Sequence, residues 1–129
     1  MGSGKCSPPR EHLEVNPFPR RACLYWVRIP AEPTSKLRPG LVVSVDARNR
    51  LASDVLVIPA STILRPSPTH VRLKRSQGGI PKDSVLKCEQ ITTLPKELLS
   101  EQGLGGPLPG VVMDQVERAV LRAIGLAVD

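Results

Sequence analysis

The strand-like runs of this chain are short and punctuated by proline or glycine, which restricts it to a mainly-β architecture built from small pieces. Cys23-Leu24-Tyr25-Trp26-Val27-Arg28-Ile29 is rich in β-formers and stops at Pro30. Leu41-Val42-Val43-Ser44-Val45 reads as a second strand, entered through Arg38-Pro39-Gly40. Asp54-Val55-Leu56-Val57-Ile58 reads as a third, closed by Pro59. His70-Val71-Arg72-Leu73-Lys74 alternates as a strand with one wet face should. Gln77-Gly78-Gly79 supplies a turn, and residues 84–93 give one long strand or two short ones, followed by a short helix from Pro95 to Leu99.

The ending has a different period. Val111, Val112, Val116, Ala119, Val120, Ala123, Ile124 and Ala127 repeat at helical spacing, with Asp114 and Glu117 toward the N-terminal half, where the helix dipole favours them. Five or six short strands and a terminal helix predict a small barrel capped by that helix.

The length of 129 residues fits one domain plus a tail. Residues 1–20 carry Pro8, Pro9, Pro17 and Pro19 without apolar periodicity and read as a disordered or loosely attached arm, leaving 21–129 as the domain. Phe18, Tyr25 and Trp26 are the three aromatics of the whole chain, so the core is expected to be aliphatic and small, a situation that dimerisation commonly remedies. A formal charge of +6 favours acidic partners. Neither a membrane span nor a secretory leader is evident, so a cytoplasmic setting is expected. Cys6, Cys23 and Cys88 are odd in number and widely spaced, which argues against a disulfide framework or zinc site and for Cys23 and Cys88 as buried small hydrophobes.

The segment from Gly79 to Ile91 carries the functional information. It interleaves Lys82, Asp83, Lys87, Glu89 and Gln90 along a strand-like run, a mixture suited to a polyanion that also presents base edges, and so to RNA. His or carboxylate clusters at metal-ligand spacing are lacking, as are phosphate-binding glycine loops; no cofactor or metal is expected. Of the two histidines, His12 lies in the arm and His70 in a strand, where it reads as structural. What remains is cleavage of RNA by its own 2′-hydroxyl. That reaction needs a group near the 2′-oxygen, a donor toward the leaving 5′-oxygen and positive charge at the phosphate. Arg38, Ser61 or Thr62, Lys87 and Glu89 can meet those needs if the fold gathers them.

Five stretches, in order, carry a family resemblance. These are Arg21-Ala22-Cys23-Leu24-Tyr25-Trp26-Val27, Arg38-Pro39-Gly40-Leu41-Val42-Val43-Ser44, Val57-Ile58-Pro59-Ala60-Ser61-Thr62-Ile63-Leu64-Arg65, Pro68-Thr69-His70-Val71, and residues 79–93. Together they resemble the MazF/PemK (Kid) toxins of bacterial toxin–antitoxin pairs over roughly residues 21–127. The resemblance implies an SH3-like barrel that forms a homodimer. It implies a sequence-specific, metal-independent endoribonuclease that cuts single-stranded RNA, leaving a 2′,3′-cyclic phosphate and a 5′-hydroxyl. The implied partner is a small MazE/PemI-like antitoxin whose C-terminal segment occupies the RNA groove.

Position by position, Arg38 matches the family's catalytic Arg before Pro, and Ser61 its catalytic Thr. Lys87 and Glu89 match an Arg and an Asp that some members use. Arg38 is then expected to clamp the phosphate and donate a proton, Ser61 to bond a non-bridging oxygen, and Glu89 to take the 2′-proton. Lys36, Thr62, Arg65, Lys82 and Gln90 are expected RNA contacts. The loop before Arg38 is shorter than in the family and lacks its Glu-Gln pair. The contrasting reading is a catalytically degenerate toxin-fold protein that binds RNA or inhibits a partner such as gyrase. In that reading Lys87 and Glu89 form an exposed ion pair of little energetic weight.

Overall fold

A computed structural model of the protein describes Cys6, residues 17–30 and residues 36–128. His12, most of the expected arm and the loop 31–35 lie outside the described residues. Strands β1 (Leu24–Arg28), β2 (Leu37–Val42), β3 (Asp54–Ser61), β4 (His70–Leu73), β5 (Ser84–Lys87) and β6 (Thr92–Pro95) are joined by helices α1 (Asp46–Leu51) and α2 (Gly110–Ala123). All pairings are antiparallel, in the order β1-β2-β3-β5-β4, with β6 also paired to β3. A bridge between Val27 and Leu99, and the bond from Ser100 N to Trp26 O (2.9 Å), tie the segment after β6 back to β1. The path β1-β2-β3-β6 therefore closes on itself, and the expectation of a small mainly-β barrel with a C-terminal helix holds.

Strand alternation divides the apolar residues between two cores. On one face, Leu24, Leu41 and Ile58 are successive cross-strand partners, as are Ala60, Leu86 and Val71, and both sets pack with Val112, Met113, Val116 and Ala119 of α2. On the other, Tyr25, Val27, Val42, Val55, Val57, Leu94 and Leu99 fill the closed barrel. Each such aliphatic side chain contributes about 1.5–3 kcal/mol when fully buried. Gly40 lets β2 pass close to its neighbours, since a Cβ there would meet Val57 Cγ1 at 2.7 Å and both Val27 methyls at 3.0 Å.

Two prolines behave differently from the sequence expectation. Pro59 does not close β3, which runs on to Ser61, and β2 begins at Leu37, before Pro39. Pro59 sits where β3 changes partner, between Asp54–Val57 on β6 and Ala60–Ser61 on β5, and pairs with neither of those strands. Pro39 sets the end of the β2–β3 ladder. Val43 N donates to Leu56 O (3.0 Å), so antiparallel alternation makes Leu41–Ile58 the next hydrogen-bonded rung and Pro39–Ala60 the one after. Pro39 has no N–H to give to that rung. The observed pairing stops one step earlier, at Gly40–Pro59.

Further expectations are sharpened or corrected. Of the two readings open for residues 84–93, the structure takes the two short strands, separated by a 3₁₀ turn at Cys88–Gln90, and the short helix expected after β6 is a single 3₁₀ turn, Lys96–Leu98. Helix α2 ends at Ala123, not near Ala127. Gly125 adopts φ 95°, its N–H bonds Arg122 O (3.1 Å), and Leu126 N bonds Leu121 O (2.9 Å), a Schellman cap that turns the chain away. Cys6 and Cys23 are joined by a disulfide, so Cys23 is buried but is not a free hydrophobe. Cys88 is the free, buried cysteine among the described residues, which is why counting three cysteines gave no sign of the pair.

Candidate active site

The register gathers several of the candidate residues on one side of the sheet. Gly40 faces Pro59, Ser61 faces Val85, and Lys87 faces His70. Side chains on residues two apart share a face, so Arg38, Ser61, Val85, Lys87, Arg72 and His70 all project opposite α2. This is the same side as the barrel interior, beyond the point where β2 and β3 part. Arg38 and Ser61 are each two residues past the last paired position, Gly40–Pro59.

Arg38 is paired through its backbone to Val27 and is half-buried. Ser61 ends β3, and its Oγ accepts the N–H of Ile63 (3.1 Å), forming a small turn that fixes the hydroxyl. An oxygen occupied as an acceptor still has its own hydrogen to donate. Thr62 follows, exposed, in that turn.

Glu89 lies in the 3₁₀ turn after β5, and both carboxylate oxygens are engaged. Oε1 accepts from Thr69 Oγ1 (2.9 Å), and Oε2 lies 3.2 Å from His70 Nε2. Partial burial pushes its pKa upward. Hydrogen bonds from its own backbone N–H, from Thr69 and from His70, together with the His70 charge, outweigh that and hold it below the usual carboxylate range. Lys87 is half-buried at the end of β5 and faces His70 across the ladder.

The other expected contacts are exposed, and they are spread out. Lys36 precedes β2, while Arg65 lies in the β3–β4 connection, where its carbonyl oxygen is 2.9 Å from His70 Nδ1. Gln90 adjoins Glu89 in the same turn. Lys82 precedes β5 at the end remote from Lys87, beside Asp83, whose carboxylate accepts from Arg75 N (2.7 Å). Reading the sequence left Thr69 unremarked and gave His70 a merely structural part. The signal was nonetheless present, because Pro68-Thr69-His70-Val71 is one of the stretches that carried the resemblance.

Among the described residues, no group of three or more His, Cys, Asp or Glu side chains could hold a metal ion, and no helix is long and apolar enough to cross a membrane.

The sequence profile of the PemK-like, MazF-like toxins of type II toxin–antitoxin systems matches residues 20–124. Endoribonuclease MazF2 of Mycobacterium bovis is 33% identical over 112 residues, spanning 82% of this chain and 96% of the relative. A solved endoribonuclease from a mycobacterial species superposes with a TM-score of 0.72 at 28% identity, covering 90% of this chain and 100% of the other. A mycobacterial endoribonuclease solved in complex with its cognate antitoxin gives a TM-score of 0.71 at 28% identity, covering 86% and 99%. With its six-stranded antiparallel sheet, its terminal helix and a profile match across most of its length, this chain belongs to the PemK/MazF family of type II toxin–antitoxin toxins.

Proposed function

We propose that this protein is an endoribonuclease toxin that cuts single-stranded RNA, messenger RNA in the cell, in a sequence-specific and metal-independent manner. It acts in the cytoplasm as a homodimer built from domain 21–129, and a small antitoxin holds it inactive by occupying the RNA groove. Family membership supports this reading, as do the relatives named endoribonucleases and the one solved with its antitoxin. The single observation that carries the chemistry is the shared face of Arg38 and Ser61, at the place where β2 and β3 part.

The reaction is an internal transesterification. The 2′-oxygen forms a bond to phosphorus, the bond from phosphorus to the 5′-oxygen breaks, and a cyclic phosphate and a 5′-hydroxyl result. Glu89, ionised at neutral pH, receives the 2′-proton. Arg38 stays charged, binds the phosphate through its fork of N–H groups and hydrogen-bonds the departing 5′-oxygen, which takes its proton from water while Glu89 later returns to solvent the one it received. Ser61 donates its hydroxyl hydrogen to a non-bridging oxygen as negative charge builds there. Lys87 adds positive charge beside the phosphate. Lys36, Thr62, Arg65, Lys82 and Gln90 contact the flanking nucleotides and set affinity and sequence preference.

The test is incubation of purified protein with end-labelled RNA in EDTA, followed by analysis of the new termini. Cleavage that leaves a cyclic phosphate and a 5′-hydroxyl supports the proposal. RNA that is bound and left intact would favour the degenerate binding module.

A further inference from the structure

His70 is singular among the residues on this face. Its side chain is only 10% exposed, and both ring nitrogens have partners. Nδ1 lies 2.9 Å from the carbonyl oxygen of Arg65, and Nε2 lies 3.2 Å from Glu89 Oε2. A carbonyl can only accept, and so can an ionised carboxylate, so a ring nitrogen that carries hydrogen donates to the partner it faces. Thr69, the preceding residue, donates to the other carboxylate oxygen at 2.9 Å, and its hydroxyl in turn contacts Ser67 Oγ (3.1 Å).

The backbone beneath these groups is held as firmly as the side chains. Cys88 N donates to Thr69 O (3.0 Å), His70 N donates to Ser67 O (3.1 Å), and Arg122 of α2 reaches Pro68 O (3.2 Å). Two donors on adjacent residues thus grip the two oxygens of one carboxylate. The strand start that carries them is tied to both the 3₁₀ turn and the terminal helix. A surface ion pair would have no need of a nearly buried imidazole or a second donor on the neighbouring residue.

We propose that His70 and Thr69 are positioning residues that fix the plane and aim of the Glu89 carboxylate. They stand behind it and do not touch RNA. This rests on the reading of Glu89 as the group that takes the 2′-proton. A carboxylate rotating freely about its terminal bond spends little time with a lone pair on the 2′-hydroxyl, whereas one gripped at both oxygens keeps its remaining lone pairs in a fixed direction. The contribution appears in the chemical step and not in RNA binding.

The experiment is single-turnover cleavage of a defined RNA by wild type, Thr69→Val, Thr69→Ser, His70→Gln, His70→Ala and Glu89→Gln, with the thermal midpoint of each protein measured alongside. Thr69→Val keeps shape and loses the hydroxyl, so its chemical rate should fall on the order of tenfold with RNA affinity unchanged, a fraction of the ~10²–10⁴ that a general base supplies. Thr69→Ser restores the hydroxyl and should cut within about twofold of wild type. His70→Gln retains one donor toward Glu89 and should fall between wild type and His70→Ala. If His70→Ala fails to fold, the Thr69 pair carries the test alone. Full rates in Thr69→Val and His70→Gln, with Glu89→Gln slow, overturn this proposal and leave Glu89 as the proton acceptor. A full rate in Glu89→Gln overturns the acceptor reading itself, and this proposal with it. Rate losses in Thr69→Val that are matched by lost RNA affinity would make Thr69 an RNA contact and also overturn it.

Discussion

Arg38 and Ser61 stand on two different strands, each two residues past the Gly40–Pro59 pair, with their side chains on the same face of the sheet. Neither is carried to the other by proximity in sequence. On the proposed chemistry, Arg38→Ala should lower the cleavage rate on the order of 10²–10³-fold, and Ser61→Ala by roughly ten- to a hundredfold. Ser61→Thr should keep most of the activity, because the hydroxyl remains. Arg38→Lys should not rescue, because an ammonium lacks the planar fork. Single-turnover assays on one RNA, with circular dichroism to confirm folding, decide each case.

The acid behaviour of Glu89 follows from its hydrogen bonds. Its folded pKa lies below the ordinary value of 4.5, so its share of stability is present above that value and is lost as pH falls through the lower folded pKa. A carboxyl carbon NMR titration should place the Glu89 midpoint below 4.5 in wild type. In Thr69→Val the midpoint should move upward, since one of the bonds that favours the ionised form is gone. An unchanged midpoint would show that Thr69 does not bind the carboxylate in solution.

Closing a segment with a sequence separation of 17 residues, the Cys6–Cys23 bond should stabilise the fold by about 3 kcal/mol through the entropy it removes from the unfolded chain. Urea unfolding with and without reductant measures this, and Cys6→Ser should match the reduced protein and ignore reductant. In the cytoplasmic setting proposed above, thiols are kept reduced, and the stability that would matter there is that of the open form.

Cys88 should be chemically silent in the folded protein. Its side chain is fully buried, and burial, helped by the nearby Glu89 charge, pushes the thiol up to about 12. A thiol reagent should find no reactive group in the native oxidised protein. In denaturant it should find one, since the other two of the three cysteines are bonded.

Gly40→Ala tests the close approach inside the barrel. The added methyl must displace Val57 Cγ1, 2.7 Å away, in a filled core, and should destabilise by roughly 1–3 kcal/mol. A urea midpoint equal to wild type would mean that β2 and β3 can shift apart freely.

The strands and α2 were legible because their punctuation is local: prolines, glycines and a change of period from two to three or four residues. The candidate site was half legible. The sequence pointed to Arg38, Ser61, Lys87 and Glu89, but nothing local says that β2 and β3 run in a register that puts the first two on one face. Pro39 and Pro59 were read as strand boundaries because a proline inside a sheet usually removes a ladder bond. Both in fact lie where a partner is changing or lost. Helix α1 was missed because six residues show too little periodicity, and it is held by tertiary bonds such as Arg21 N to Asp46 Oδ1 (2.8 Å). The Thr69–His70–Glu89 cluster escaped because Glu89 is 20 and 19 residues from its two partners in sequence.

The missing amide of Pro39 has an evolutionary consequence. Arg38 is aimed from the strand side, by its pairing with Val27 and by a zip that cannot close further. A substitution elsewhere on the rim that leaves this pairing intact leaves the backbone under the guanidinium in place. On the proposed function, cutting and addressing become separately tunable. Relatives can diverge in which message they attack without rebuilding the blade.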